Sequence, residues 1–498
     1  MDKVFILICG TVGLVITWAV IPYLRRLVLR EGVSARQFHH GHKTVISRLG
    51  GVAIVAGFVA VVCIVLPFYH NHLDHDLPLI LGALATFGLG FWDDLKPVGA
   101  KKKLFGQILI ASAVYFMGLK IETFKNPIND YVWQLGSLSY FATVIWLVTL
   151  TNLINLIDGI DGLAGGISLM MMALLIYVSL QDHTIVLFLA VGMLGSLLGF
   201  LYYNFPPAKI YMGDGGAYFL GFLVGAMTIH TSQKGAVAAA LIAPIFALAL
   251  PIIDVAIAIA RRGLKGLPIF RPDRKHIHHR LVDFGFSRVR TVLTLYAMSL
   301  IFLLLAFGIL WSHGKWLPIL FGGMCMILLL AAGSMQFTRD WFAVGRVLGN
   351  SLDMRKETRY VLVLAQWLQM EAERCDSIEN LWADYKFVLK KIGFCQARLI
   401  LSTGEKNWQS SLRLQEEEML HSHHALHIGE ISGLDLKAHQ SVMDPQLFEL
   451  MSELAAEAFM KAARKWEEIH ELPIHFDSKV SAEILKSRLK RARAYLPA

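Results

Sequence analysis

The sequence predicts an all-α polytopic membrane protein of about eleven transmembrane helices, followed by a small soluble α/β domain at the C-terminus. Composition comes first. Of the 498 residues, 55% are hydrophobic and 17% charged, with a mean hydropathy of +0.52, whereas a soluble domain is about 25% charged. Second, apolar windows recur at 4–24, 50–68, 77–92, 104–119, 138–157, 162–180, 184–203, 211–230, 236–260, 289–311 and 316–335. Each is long enough, or nearly so, to cross a bilayer core, the third and fourth being the shortest. Third, lysine and arginine alternate from loop to loop.

The loop after the first window holds Arg25, Arg26, Arg30, Arg36, Lys43 and Arg48, and the loop after the third holds Lys96 and Lys101 to Lys103. The loop after the ninth runs from Arg261 to Arg290 and is richer still. The intervening loops carry only Lys120, Lys125, Lys234 and Lys315. The positive-inside bias therefore puts the N-terminus outside and the C-terminus in the cytoplasm. The first window is too long for a signal peptide, lacks a small-x-small cleavage site and runs into Arg25-Arg26, so it reads as a retained span. The formal charge of +9 belongs to the cytoplasmic loops. It points to anionic lipid or phosphate and not to nucleic acid. Cys9, Cys63, Cys325, Cys375 and Cys395 show no paired spacing, so no disulfide framework or zinc site is implied.

Polar residues then mark the helix ends. In the first loop, Lys43 and Arg48 precede Gly50-Gly51. Cations beside a glycine pair suit close approach to an anionic ligand, although topology alone also explains the charges. The third window runs into Asp93-Asp94, with Lys101 and Lys103 following. Adjacent carboxylates repel unless a proton or cation relieves them, as a general base or magnesium ligand requires. The fifth window closes in Asn152-Leu-Ile-Asn155-Leu-Ile-Asp158-Gly-Ile-Asp161-Gly-Leu163. Four such groups at the end of an apolar run must find partners, and intramembrane carboxylates are functional by default.

The eighth window opens with Tyr211-Met-Gly-Asp214-Gly-Gly216, where amides at a helix start could meet phosphate. The ninth loop holds His276-Ile-His278-His279-Arg280, whose cations and N–H donors suit a diphosphate. By the charge rule all these groups fall on the cytoplasmic face, so one shared site is the economical explanation. The rival of another class is an ion-coupled transporter. It would place its carboxylates near the midplane of repeated halves, and no repeat is visible.

Together these motifs resemble the polyprenyl-phosphate N-acetylhexosamine-1-phosphate transferase family. The resemblance rests on Asp93-Asp94 with the following lysines, the Asn152 to Leu163 stretch, Pro207-Ala-Lys-x-x-Met-Gly-Asp214, and His276-Ile-His-His-Arg-Leu281. It covers roughly residues 1–335. The form of the histidine motif is similar to the branch that uses UDP-N-acetylglucosamine and undecaprenyl phosphate to start O-antigen, enterobacterial-common-antigen or teichoic-acid linkage synthesis. The runner-up is the relative that acts on UDP-N-acetylmuramoyl-pentapeptide.

The resemblance implies transfer of sugar 1-phosphate from a UDP-N-acetylhexosamine to undecaprenyl phosphate in the bacterial inner membrane, with release of UMP. It implies Mg2+, with Mn2+ as an alternative, and leaves a homodimer open. It gives Asp214 as principal metal ligand, Asp93 as base on the lipid phosphate, and Asp94 beside it in the metal shell. Asn152, Asn155, Asp158 and Asp161 would bind nucleotide and support the metal. Lys101, Lys103, His276, His278, His279 and Arg280 would hold phosphates, while Lys43 and Arg48 are substrate-binding candidates from the charge and glycine pair of their own loop.

The transferase domain should span residues 1–338 and a cytoplasmic domain 339–498. In the latter, helices are expected over 340–380, 378–392 and 446–468, and strands over 397–402 and 425–432. This order faintly resembles a GAF-like sensory domain. His421, His423, His424 and His427 read as a solvated loop rather than a metal site. Residues 480–496 read as a basic amphipathic helix.

Overall fold

The computed structural model describes residues 2–31, 46–68, 73–125, 131–180, 184–232, 245–267, 277, 281–282, 284–312, 316, 319, 322–323, 344–402, 404–410, 418–470, 474 and 476. The chain divides into two compact units. The first comprises Met1–Ala260 with Pro272–Arg339, and the second Arg261–Arg271 with Asp340–Ala498.

The first unit is a helical bundle: α1 (Asp2–Glu31), α2 (Gly50–Val65), α3 (Leu73–Leu95), α4 (Ala100–Phe116), α5 (Leu138–Ile157), α6 (Leu163–Ser179), α7 (Ile185–Asn204), α8 (Gly213–Ser232), α9 (Ala249–Lys265, whose residues from Arg261 on belong to the second unit) and α10 (Arg288–Trp311). Among the described residues five helices are long and apolar enough to cross a membrane: Lys3–Leu27, Gly50–Phe68, Leu138–Ile157, Ile185–Asn204 and Arg288–Ile309. The chain is thus a multi-pass membrane protein. The expected span at 316–335 lies almost wholly outside the described residues.

Helix α3 is longer than its predicted window, and its last turn carries Asp93 and Asp94. A short antiparallel hairpin, β1 (Thr123–Lys125) with β2 (Val132–Gln134), interrupts the otherwise helical unit between α4 and α5.

Helix α8 lies at the centre, packed on α2, α3, α5 and α6 and buried along its length. Lipid supplies no hydrophobic drive between helices, so close approach depends on small residues. A Cβ on Gly90 of α3 would stand 2.5 Å from the Asp214 carbonyl oxygen. That backbone contact brings the last turn of α3 beside the first turn of α8.

The second unit comprises α11 (Val344–Arg374), α12 (Ile378–Ile392), an antiparallel sheet in the order β4-β3-β6-β5, and α13 (Pro445–His470). The strands are β3 (Gln396–Leu401), β4 (Gly404–Gln409), β5 (Met419–Ile428) and β6 (Ile431–His439). Ser377 caps α12 by accepting the Asn380 N–H.

The strand expected at 425–432 instead straddles a turn at Gly429, whose φ is +52°. Consequently His421, His423, His424 and His427 sit on a strand and not in a loop. Among the described residues no three His, Cys, Asp or Glu groups come together to hold a metal ion. His423 pairs with Asp435 at 2.6 Å, and Asp435 also accepts Arg398. The expected helix at 480–496 lies outside the described residues.

Candidate active site

Four helix ends meet at one end of the bundle. Helix α3 supplies Asp93 and Asp94, the first turn of α4 Lys103, the end of α5 Asn155, and the start of α8 Asp214. The Lys103 ammonium stands 3.0 Å from Asp93 Oδ2 and 2.9 Å from Asp214 Oδ2. Asn155 Nδ2 donates to the other Asp214 oxygen at 3.2 Å. Asp93 is held further by the Val98 N–H at 2.8 Å.

Asp94 has a different task. Its oxygens accept the backbone N–H groups of Asp214 and Gly215, each at 2.9 Å. These are orphan donors at the start of α8, and a carboxylate there also meets the positive end of the helix dipole. The chain enters α8 through Gly213 at φ +77°, where a Cβ would lie 2.4 Å from the Arg48 carbonyl and 2.7 Å from Asp94 Oδ2. Only glycine fits there. The preceding segment is fixed by strand-like bonds, Tyr211 N–H to Ser47 O and Gly50 N–H to Tyr211 O.

Asp158 lies just past the end of α5, and its carboxylate has no hydrogen-bond partner among the described residues. Burial, followed by the charges of Asp214 and Asp94, pushes its carboxyl well above the usual carboxylate range, with Arg48 opposing. Charge repulsion of this kind marks a place that a cation would relieve.

Other expected residues lie at the margin. Asn152 exchanges hydrogen bonds with Gln107 at 2.6 and 3.4 Å and does not reach the carboxylates. Asp161 accepts the Ala208 N–H at 3.1 Å, tying the loop before α8 to the loop after α5. Lys101 is exposed and makes no ion pair among the described residues. Lys43, His276, His278, His279 and Arg280 lie outside the described residues. The neighbouring Ile277 N–H donates to Asp254 of α9 at 3.1 Å.

Sequence reading missed two buried supports. Gln107, 2% exposed, orients Asn152. Asn204 accepts the Gly162 N–H at 2.9 Å and donates to the Ile210 carbonyl at 2.8 Å, joining the same two loops. An amide within an apolar helix was the available signal for both.

The cluster suits a hard divalent cation. Its donors are carboxylate and amide oxygens, and the Lys103 ammonium already bridges Asp93 and Asp214 as a positive group would. Among the described residues no three side chains close a cage. Mg2+ rarely needs one, since it is commonly held by one or two carboxylates together with substrate phosphates.

The fold is that of a multi-pass membrane protein with a carboxylate and lysine cluster where four of its helix ends meet. Residues 77–232 match the family described as Glycosyl transferase family 4. The probable undecaprenyl-phosphate N-acetylglucosaminyl 1-phosphate transferase of Bacillus subtilis is 35% identical over 316 residues, which is 63% of this chain and 87% of that protein. The decaprenyl-phosphate N-acetylglucosaminephosphotransferase of Mycobacterium leprae is 32% identical over 300 residues, 53% of this chain and 74% of that protein. The phospho-N-acetylmuramoyl-pentapeptide-transferase of Oceanobacillus iheyensis is 29% identical over 326 residues, 61% of this chain and 98% of that one. The chain belongs to the polyprenyl-phosphate N-acetylhexosamine-1-phosphate transferase family.

Proposed function

We propose that this protein transfers N-acetylglucosamine 1-phosphate from UDP-N-acetylglucosamine to undecaprenyl phosphate and releases UMP, starting a lipid-linked envelope glycan. The site would face the cytoplasm from the bacterial inner membrane, the orientation that the cationic loops favour. The observation that carries this reading is the convergence of Asp93, Lys103, Asn155 and Asp214 from four helices, within a family whose Bacillus subtilis relative is named for this chemistry.

A lipid phosphate oxygen bonds to the sugar-bearing phosphorus, and the bond to the bridging oxygen of the diphosphate breaks as UMP departs. Such transfers are chiefly positioning and charge neutralisation. Asp93, at the Lys103 side of the cluster, accepts the proton of the attacking phosphate. Lys103, Arg48 and the histidine run screen the two phosphorylated substrates from one another. Asp214 and Asp158 would hold Mg2+, with Asp94 fixing the Asp214 backbone and keeping further lone pairs for the ion. When bound, the cation supplies Lewis-acid stabilisation of the diphosphate. Asn155 orients Asp214, while Asn152 and Asp161 shape the nucleotide side of the cleft.

The test is UMP release by purified protein given undecaprenyl phosphate and a panel of UDP-sugars, with and without Mg2+. Release that requires lipid, metal and UDP-N-acetylglucosamine is expected. Release only from UDP-N-acetylmuramoyl-pentapeptide would reassign the donor, and none from any UDP-N-acetylhexosamine would overturn the reading.

A further inference from the structure

We infer that Tyr218 is a positioning residue for Lys103, and through it for the carboxylate pair Asp93 and Asp214. The inference rests on the transferase reading above. Tyr218 follows Asp214 by one helical turn on α8 and is 2% exposed. The Lys103 ammonium lies 5.8 Å from the centre of its ring.

An ammonium has three N–H donors. Two are directed at Asp93 and Asp214. The ring lies within the range at which an aromatic face attracts a cation, and the attraction strengthens as water is excluded. Lys103 is 21% exposed at its side chain, so the contact is partly desolvated.

The ring is held by its burial in α8, the helix that also carries Asp214, and cannot follow a wandering lysine. Lys103 itself rides on a flexible four-carbon stem from α4. Lysine alone could reach either carboxylate in several rotamers. With the ring behind it, the ammonium is confined to the point between the two. Leu or Met at 218 is smaller than the buried ring and supplies no such attraction, and the core must repack around either.

Two measurements test this on the full-length protein in lipid nanodiscs. In the first, an amine-reactive ester is applied without metal or substrate, and labelling of each lysine is read by peptide mass spectrometry. Tyr218→Leu and Tyr218→Met should raise Lys103 labelling by about 2- to 30-fold, the range a cation–π contact covers. The exposed Lys101 and Lys102 should label as before and serve as internal controls. Tyr218→Phe keeps the ring and loses the hydroxyl, which also contacts Lys103, so its labelling should fall between the natural protein and the aliphatic variants.

The second measurement is steady-state UMP release. Leu or Met should lower kcat by a similar factor with little change in KM for the UDP-sugar, and Phe should restore most of the loss. Using both aliphatic variants guards against one that fails to insert. If Phe and Leu behave alike in labelling, or if Lys101 and Lys102 rise with Lys103, the assignment is overturned. If the natural protein releases no UMP, the transferase reading fails instead, and the labelling arm still decides the contact.

Discussion

The carboxylate of Asp94 accepts the backbone N–H of Asp214 at 2.9 Å, across 120 positions of sequence. One carboxylate therefore fixes the backbone that presents another. Asp94→Ala leaves two amides at the start of α8 without their partner, and a hydrogen bond to a charged group is worth about 1.5–3 kcal/mol. Asp94→Asn keeps one acceptor and the shape. We expect Asn to retain measurable turnover and Ala to lose it together with several degrees of thermal stability. Equal stability of the two variants would remove the capping role.

Asp214→Asn takes one charge from the cluster while leaving its volume and backbone bonds. Turnover should vanish, and the thermal stabilisation given by added Mg2+ should shrink, with the protein still inserted and folded. Asp93→Asn should lower kcat by about 10²–10⁴-fold, the usual contribution of a positioned base. Full activity in either variant would exclude the role assigned to it.

Asn204 is 2% exposed and ties the Asp158 to Gly162 turn to the loop entering α8. Asn204→Leu strands a buried N–H and a buried carbonyl, each costing about 1–3 kcal/mol. The expected result is a lowered unfolding temperature and a rise in KM for the UDP-sugar, although the residue touches neither substrate. An unchanged unfolding temperature would show that the two loops are held by other means.

The second unit should lose stability in acid in two stages. Burial holds the His424 imidazole below its ordinary value of 6.5. The unfolded chain then binds a proton that the folded one refuses, so stability falls as pH drops below about 6.5. Burial alone would raise Asp435, but hydrogen bonds from His423 and Arg398 outweigh it and hold the carboxyl below its ordinary value of 3.8. Its stabilisation is present above that value and is lost on further acidification. Hydrogen exchange of peptides from β5 and β6 across pH 7 to 2 measures both, and His424→Gln should flatten the first stage only.

Truncation after Arg339 should leave a membrane-inserted enzyme with measurable transferase activity, because every residue assigned to the site precedes that point. The second compact unit also takes in Arg261–Arg271, with Leu267 packed against its core. The truncated protein should therefore be more easily cleaved by protease within 261–271. Loss of activity at equal membrane abundance and intact fold would place part of the tail in the active site.

By itself the sequence determined the class of the protein and most of its cluster. Bilayer length and the cost of buried charge act locally, so apolar windows and the carboxylates at their ends are legible without a fold. Asp93, Asp94, Asn155, Asp158 and Asp214 could be named that way. Division of labour among them could not. That Asp94 caps α8, that Asp161 turns to Ala208 and that Asn152 pairs with Gln107 depend on which helix ends become neighbours. The histidines of β5 were misplaced for a related reason, since a hairpin turn at Gly429 decides which side chains share a strand face. Only the tertiary structure could decide these roles. A carboxylate in one helix and an amide over a hundred residues away carry no mutual signal in one chain, and their partnership is set by the close approach of α3 and α8 at Gly90.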